Sequence, residues 1–181
     1  REKVNQWDKD DHFPRDVFDK LCKLGVTSLT VPVEYGGSGR DMMATIATIE
    51  ELCTRSLGIA SGYIFCACYA GLNLSEVASE EQKKKFLPEV ANGNLLFSYG
   101  ISEPDVGADV ASVKTKAIRE GDELIINGTK RWCSGPNITD YIYTIVRSGP
   151  KEDRYRNLSL VLIPPTADGI IIEPQQTLGQ K

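Results

Sequence analysis

Two short runs carry the residues whose types and spacing could do chemistry. The first is Tyr99-Gly100-Ile101-Ser102-Glu103-Pro104-Asp105-Val106-Gly107-Ala108-Asp109, entered from the apolar Leu95-Leu96-Phe97. Gly107 permits close approach of backbone to a ligand. Successive N–H groups in such a turn form an anion-binding concavity that suits a pyrophosphate. The Ser102 hydroxyl both donates and accepts, which suits the carbonyls and ring nitrogens of an isoalloxazine. The second run is Gly128-Thr129-Lys130-Arg131-Trp132-Cys133-Ser134. Trp132 can wall a flat ring, and a neighbouring hydroxyl can bond the ring's edge. Each run also has a plain reading. The first serves equally as a loop with Asp109 capping a turn, the second as a strand ending on a core tryptophan.

Other chemistries find little support. Glu34, Glu50, Glu51 and Glu103 are candidate acids or bases, but each reads as a solvated or capping carboxylate. The lone His12 cannot assemble a Ser/His/Asp or Cys/His set. Cys133 has no histidine nearby to activate it and reads as a packing residue. Cys66-x-Cys68 lacks a second ligand pair, so no metal site is expected. Nothing matches G-x-G-x-x-G, so a Rossmann fold is not indicated.

The elements that must position these runs fall into two kinds. Residues 1–93 read as helices. Pro14 sits in a first turn, and Gly25 stops a run carrying Val17, Phe18, Leu21 and Cys22. Val26 to Val33 reads as an extended connector, and Glu34 to Gly39 as a loop, since each of its three glycines would cost a helix about 1 kcal/mol. Asp41 caps the next helix. Leu57 to Leu74 is small and apolar on nearly all faces, as a buried helix is. Ser79-x-x-Gln82 is a capping box for a helix reaching Phe86, and Pro88 opens a further one.

After Gly93 the period becomes two. Residues 95–101, 110–120, 123–131, 139–147, 157–163 and 169–173 read as strands, with a hairpin turn at Gly121-Asp122. No helical pattern separates them, so the sheet should be mainly antiparallel. The fold class expected is α+β: an all-α helical bundle followed by a β-barrel or sandwich.

The 181 residues carry a net charge of −4, with 41% hydrophobic and 25% charged residues. That is enough apolar material for a sizeable core. The acidic balance disfavours nucleic acid as a partner. Five cysteines, an odd number, fit a reduced compartment rather than a disulfide framework. No apolar run reads as a membrane span. The chain starts at Arg1 with an amphipathic pattern and stops at Lys181, so a piece of a longer protein is expected.

Taken together, the runs resemble the acyl-CoA dehydrogenase family. Gly100 to Ser112 resembles its first signature, and Val31 to Gly39 its helix-connecting loop. Glu81 to Pro88 resembles the stretch before its β domain, and Asn127 to Lys130 with Trp132 to Ser134 its second flavin segment. The resemblance implies an N-terminal helical domain at 1–94, a flavin-binding middle β domain at 95–181, and a C-terminal helical bundle absent from this chain. It implies FAD as cofactor, with Tyr99, Gly100, Ile101 and Ser102 along the ring and Gly107 and Ala108 near the pyrophosphate. Trp132 and Cys133 would flank the ring, and Ser134 would bond near flavin N5. Ala108 would also touch substrate, and the Leu57–Leu74 segment would help wall the acyl cavity.

The implied activity is α,β-desaturation of an acyl-CoA thioester, with hydride passing to N5, as in fatty acid β-oxidation. The family's glutamate base usually lies in the C-terminal bundle, so no catalytic residue is assigned here. An electron-transfer flavoprotein is the implied electron acceptor, and a homo-oligomer, dimer or tetramer, the implied assembly. The implied location is cytoplasmic, or the mitochondrial matrix in a eukaryote. The alternatives are an acyl-CoA oxidase or flavin monooxygenase on the same fold, or a non-catalytic assembly subunit. Two departures bear on the choice. Ala108 stands where the family usually has Ser or Thr, and Val106 is bulkier than the small residue usual there. Ser102 and Ser134 replace the commoner Thr.

Overall fold

The structure is a computed structural model that describes residues 2–175. Among these, residues 2–97 with 171–175 form one compact unit and residues 98–170 another.

The first unit is helical, as the periodicity requires: α1 Glu2–Lys9, α2 Arg15–Cys22, α3 Met42–Cys53, α4 Leu57–Tyr63, α5 Asn73–Val77 and α6 Glu80–Ala91. Asp41 caps α3 through the Ala44 N–H at 2.9 Å. Ser79 and Gln82 form the expected capping box on α6. Phe18, Val31, Tyr63, Leu87 and Val90 are fully buried and make the core.

The chain runs on from α4 through a π-helical segment, Ile64–Leu72, into α5. By length and composition the continuous Leu57–Val77 helix could cross a membrane, which corrects the expectation that no run reaches that length. In this unit it is a core helix. Tyr63, Cys66, Ala67 and Ala70 are fully buried, and the Cys66 thiol donates to the Val90 carbonyl. Gly62 and Gly71 let Phe13 and Thr30 come against its backbone.

Two further expectations change. Val26–Thr30 is a 3-10 turn rather than an extended connector. Gly25, at φ +80°, ends α2, and the Ser28 hydroxyl donates back to its carbonyl, which tightens the chain. Pro88 lies inside α6 and opens no new helix. The carbonyl it leaves unpaired belongs to the exposed Lys84, where water can bond it.

The second unit is built on an open sheet, β1 Phe97–Gly100, β2 Lys116–Glu120, β3 Glu123–Asn127, β4 Tyr141–Arg147 and β5 Leu158–Ile163. The order is β1-β4-β2-β3, with β5 also on β4. It is not a closed barrel or a sandwich. β4 and β5 pair antiparallel from Ile142↔Ile163 to Arg147↔Leu158. β2 and β3 form the hairpin expected around Gly121-Asp122. β2 meets β4 in parallel at one position only, Lys116↔Arg147, so the sheet is mixed.

All six expected strands are shorter or missing, three of them by more than three residues. Residues 110–112 form a 3-10 turn and 113–115 lie off the ladder. β3 stops at Asn127, so Trp132 is not in a strand. Residues 169–173 are not a strand either, and Ile171 is 83% exposed. The first loss has a visible cause: the Glu103 and Arg147 side chains satisfy backbone groups that a ladder would otherwise take. Past Asn127 the Arg131 N–H turns instead to the Ser102 carbonyl.

Candidate functional site

Glu103 organises the second unit around both runs. It sits in a tight turn in which its N–H donates to the Val106 carbonyl at 2.9 Å and its carbonyl accepts from the Val106 N–H at 3.1 Å. That turn aims the carboxylate inward, and Glu103 is only 6% exposed. Its oxygens accept from the Lys114 N–H at 2.7 Å, the Thr115 N–H at 2.9 Å and the Thr115 hydroxyl at 2.6 Å. The Lys130 ammonium lies at 3.0 Å and also donates to the Ile101 carbonyl at 3.2 Å. The expectation of a solvated Glu103 is therefore corrected. Burial pushes its carboxyl up, but the Thr115 hydroxyl, the two N–H donors and Lys130 together hold it down at about 2. Such a carboxylate is too weak a base to remove a carbon-bound proton.

Lys130 pays out differently. Burial lowers its pKa, and the bond to Glu103 pushes back without offsetting it. Glu103 is thus held ionised chiefly by neutral donors, with the ammonium as a further partner.

The far side of the same backbone is held by Arg147, itself buried at the end of β4. Its guanidinium donates to the Ala111 carbonyl at 2.6 Å, the Val113 carbonyl at 3.0 Å and the Asn157 side-chain oxygen at 2.8 Å. Residues 111–115 therefore run between a carboxylate that takes the Lys114 and Thr115 N–H groups and a guanidinium that takes the Ala111 and Val113 carbonyls. Glu103 stood in the sequence only as one of four candidate acids or bases with a solvated or capping reading, and Lys130, Thr115 and Arg147 did not stand out as site residues. The partners lie far apart in the chain, and only Arg147, a charge closing an apolar alternating strand, carried a local signal.

The expected site residues all lie in this unit. Tyr99 in β1 packs its ring 5.4 Å from that of Tyr143. Gly100 is buried where a Cβ would meet Thr144 and Ile142. Ile101 and Ser102 are half-buried. The Ser102 carbonyl accepts from the Arg131 N–H at 2.8 Å, which brings the two runs together directly. Gly107 and Ala108 are exposed, with open space around Gly107. Val106 is buried, so its extra bulk fills the interior rather than the exposed turn. Asp109 accepts from the Ser112 hydroxyl at 2.5 Å and pairs with Arg154 at 3.5 Å.

Trp132 is 61% exposed, at φ +61°, with the Arg131 guanidinium 4.4 Å from its ring centroid. Cys133 is half-buried, and burial pushes its thiol up against the pull of the Ser98 hydroxyl, which keeps it protonated and inert. Ser134 is exposed. Glu34, Glu50 and Glu51 are exposed too. Among the described residues no group of three or more His, Cys, Asp or Glu could hold a metal ion.

Residues 1–94 match the family model for the acyl-CoA dehydrogenase N-terminal domain, and residues 98–181 that for the middle domain. The chain belongs to the acyl-CoA dehydrogenase family. It is 33% identical over 168 residues to acyl-CoA dehydrogenase FadE26 of Mycobacterium tuberculosis, covering 91% of this chain and 41% of that protein. It is 32% identical over 167 residues to the mitochondrial isobutyryl-CoA dehydrogenase of Dictyostelium discoideum, covering 92% of this chain and 40% of that protein. Its structure is similar to that of the Tcur3481-Tcur3483 steroid ACAD, with a TM-score of 0.77, 33% identity, and coverage of 92% of this chain and 42% of that one. The chain thus spans about two fifths of the length of these acyl-CoA dehydrogenase relatives.

Members of this family are flavoprotein oxidoreductases that bind FAD. The residues present fit that cofactor's chemistry. An exposed tryptophan face, a half-buried hydroxyl at Ser102 and an open glycine turn at Gly107 stand on backbone that the Glu103 cluster holds together.

Proposed function

We propose that the complete protein is an FAD-dependent acyl-CoA dehydrogenase that removes the α and β hydrogens of an acyl-CoA thioester. The observation that carries this is the direct bond between the two runs, Arg131 N–H to Ser102 carbonyl, within an acyl-CoA dehydrogenase chain. Bound FAD supplies the hydride acceptor. Ser102 offers its hydroxyl to the ring's polar edge, and Trp132 offers an exposed face to its plane. Ser134 offers a second hydroxyl, and the Gly107-Ala108 backbone lies open to the pyrophosphate.

No residue of this chain is assigned as the base. Glu103, the one buried carboxylate of the site, is fully engaged with donors. The base belongs to a part of the protein beyond these two domains. The proposed electron acceptor is an electron-transfer flavoprotein, and the proposed assembly a homo-oligomer. Ala108 supports a second reading, a subunit that serves assembly, because it lacks the hydroxyl usual at that place.

Trp132→Ala is expected to weaken FAD binding by roughly two- to tenfold, the value of about 0.5–1.5 kcal/mol for a stacked ring. Ser102→Ala is expected to cost about 1 kcal/mol of flavin affinity. Fluorescence titration of the apoprotein with FAD reads both. Unchanged affinity and unchanged reduction by acyl-CoA in both variants would remove these residues from the site.

A further inference from the structure

We propose that Glu103 and Lys130 are the positioning residues of the flavin site, setting where the Ser102 turn stands relative to Trp132. This rests on the flavoprotein reading above. Residues 101–115 and 128–140 lie outside the strands, so no ladder places one against the other. Besides the Arg131 N–H to Ser102 carbonyl bond, the bonds that do so converge on one ion pair. Lys130 reaches the Ile101 carbonyl and the Glu103 carboxylate together, and Glu103 reaches on to Lys114 and Thr115. Gly128 packs against Thr115 so closely that a Cβ there would lie 2.6 Å from the Thr115 Cα. The chain from 128 to 131 is thereby seated on the backbone that Glu103 holds.

Trp132 follows directly, in the left-handed region that bulky side chains disfavour. Such a residue keeps its conformation only while its neighbours hold it. Here the holders are the Arg131 bond to Ser102 and the Arg131 guanidinium over the ring. Both depend on Lys130, the residue before, being anchored. Loss of the pair releases Trp132 to an ordinary φ and turns its ring away from the Ser102 turn.

The test uses the complete protein with Glu103→Gln and Lys130→Met. Lys130→Met preserves the apolar stem and decides the matter if Glu103→Gln fails to fold. Three readouts are taken on folded variants: the FAD dissociation constant, the visible circular dichroism of bound flavin, and hydrogen exchange at the Arg131 amide of the apoprotein. The dissociation constant is expected to rise at least tenfold, the flavin dichroism to change, and Arg131 to lose protection. Lys130→Arg is expected to recover much of each. Wild-type affinity, dichroism and Arg131 protection in a folded Lys130→Met variant would overturn the proposal. A wild-type protein that takes up no FAD overturns the flavin reading instead, and the Arg131 exchange then decides the clamp on its own.

Discussion

Glu103→Ala is expected to lower the unfolding free energy of the second unit by about 3–5 kcal/mol, the usual cost of breaking a buried ion pair from one side. The substitution leaves the half-buried Lys130 ammonium with only the Ile101 carbonyl, and the Lys114 and Thr115 N–H groups and the Thr115 hydroxyl without their acceptor. A pH signature separates this from simple loss of packing. The Glu103 carboxyl falls from the usual 4.5 to about 2 on folding. A depressed carboxyl contributes stability above its unfolded value and loses it as pH falls through the folded one. That difference amounts to about 3 kcal/mol. The gap between wild type and Glu103→Ala should therefore be full at pH 7 and shrink between pH 4.5 and pH 2. Urea midpoints at pH 7 and at pH 2.5 read it. A gap of the same size at both would mean that the carboxylate's charge has no part in holding the site.

Gly128→Ala is expected to cost about 1–3 kcal/mol, whereas Gly107→Ala is expected to stay within about 0.5 kcal/mol of wild type. The two glycines belong to the two runs, but their surroundings differ. A Cβ at 128 would press on the Thr115 backbone, which must move and disturb both Thr115 bonds to Glu103. A Cβ at 107 meets nothing within 4 Å. Stability and FAD affinity should fall together in Gly128→Ala. In Gly107→Ala affinity alone should fall, because the added methyl stands only in the way of a ligand. Thermal melts and flavin titrations of both variants check this. Equal destabilisation by the two, or full FAD affinity in Gly107→Ala, would contradict the placement of the pyrophosphate at this turn.

The helices and the sheet were legible wherever one local rule decided. Asp41 and the Ser79–Gln82 box mark helix starts by hydrogen bonds within three residues, and Gly121-Asp122 marks a hairpin in the same way. Alternation misled where a distant residue, by side chain or by backbone, took over a backbone group. Residues 110–115 alternate like a strand, yet the Lys114 and Thr115 N–H groups go to Glu103 and the Ala111 and Val113 carbonyls to Arg147. Lys130 and Arg131 continue the alternation of β3, yet they bond back to Ile101 and Ser102. The site's exposed residues were visible by type, since a serine, an open glycine and a tryptophan advertise ring and phosphate chemistry. The buried pair that holds them was not, because 27 positions separate its members and each alone passes for a surface charge.

The most direct test of an FAD-dependent acyl-CoA dehydrogenase is an anaerobic titration of the complete oxidised protein with a panel of acyl-CoA thioesters, followed by visible absorbance. The expected result is a flavin band that bleaches on addition of at least one thioester. A colourless protein that cannot be reconstituted with FAD, or a flavin band that no thioester bleaches, would contradict it.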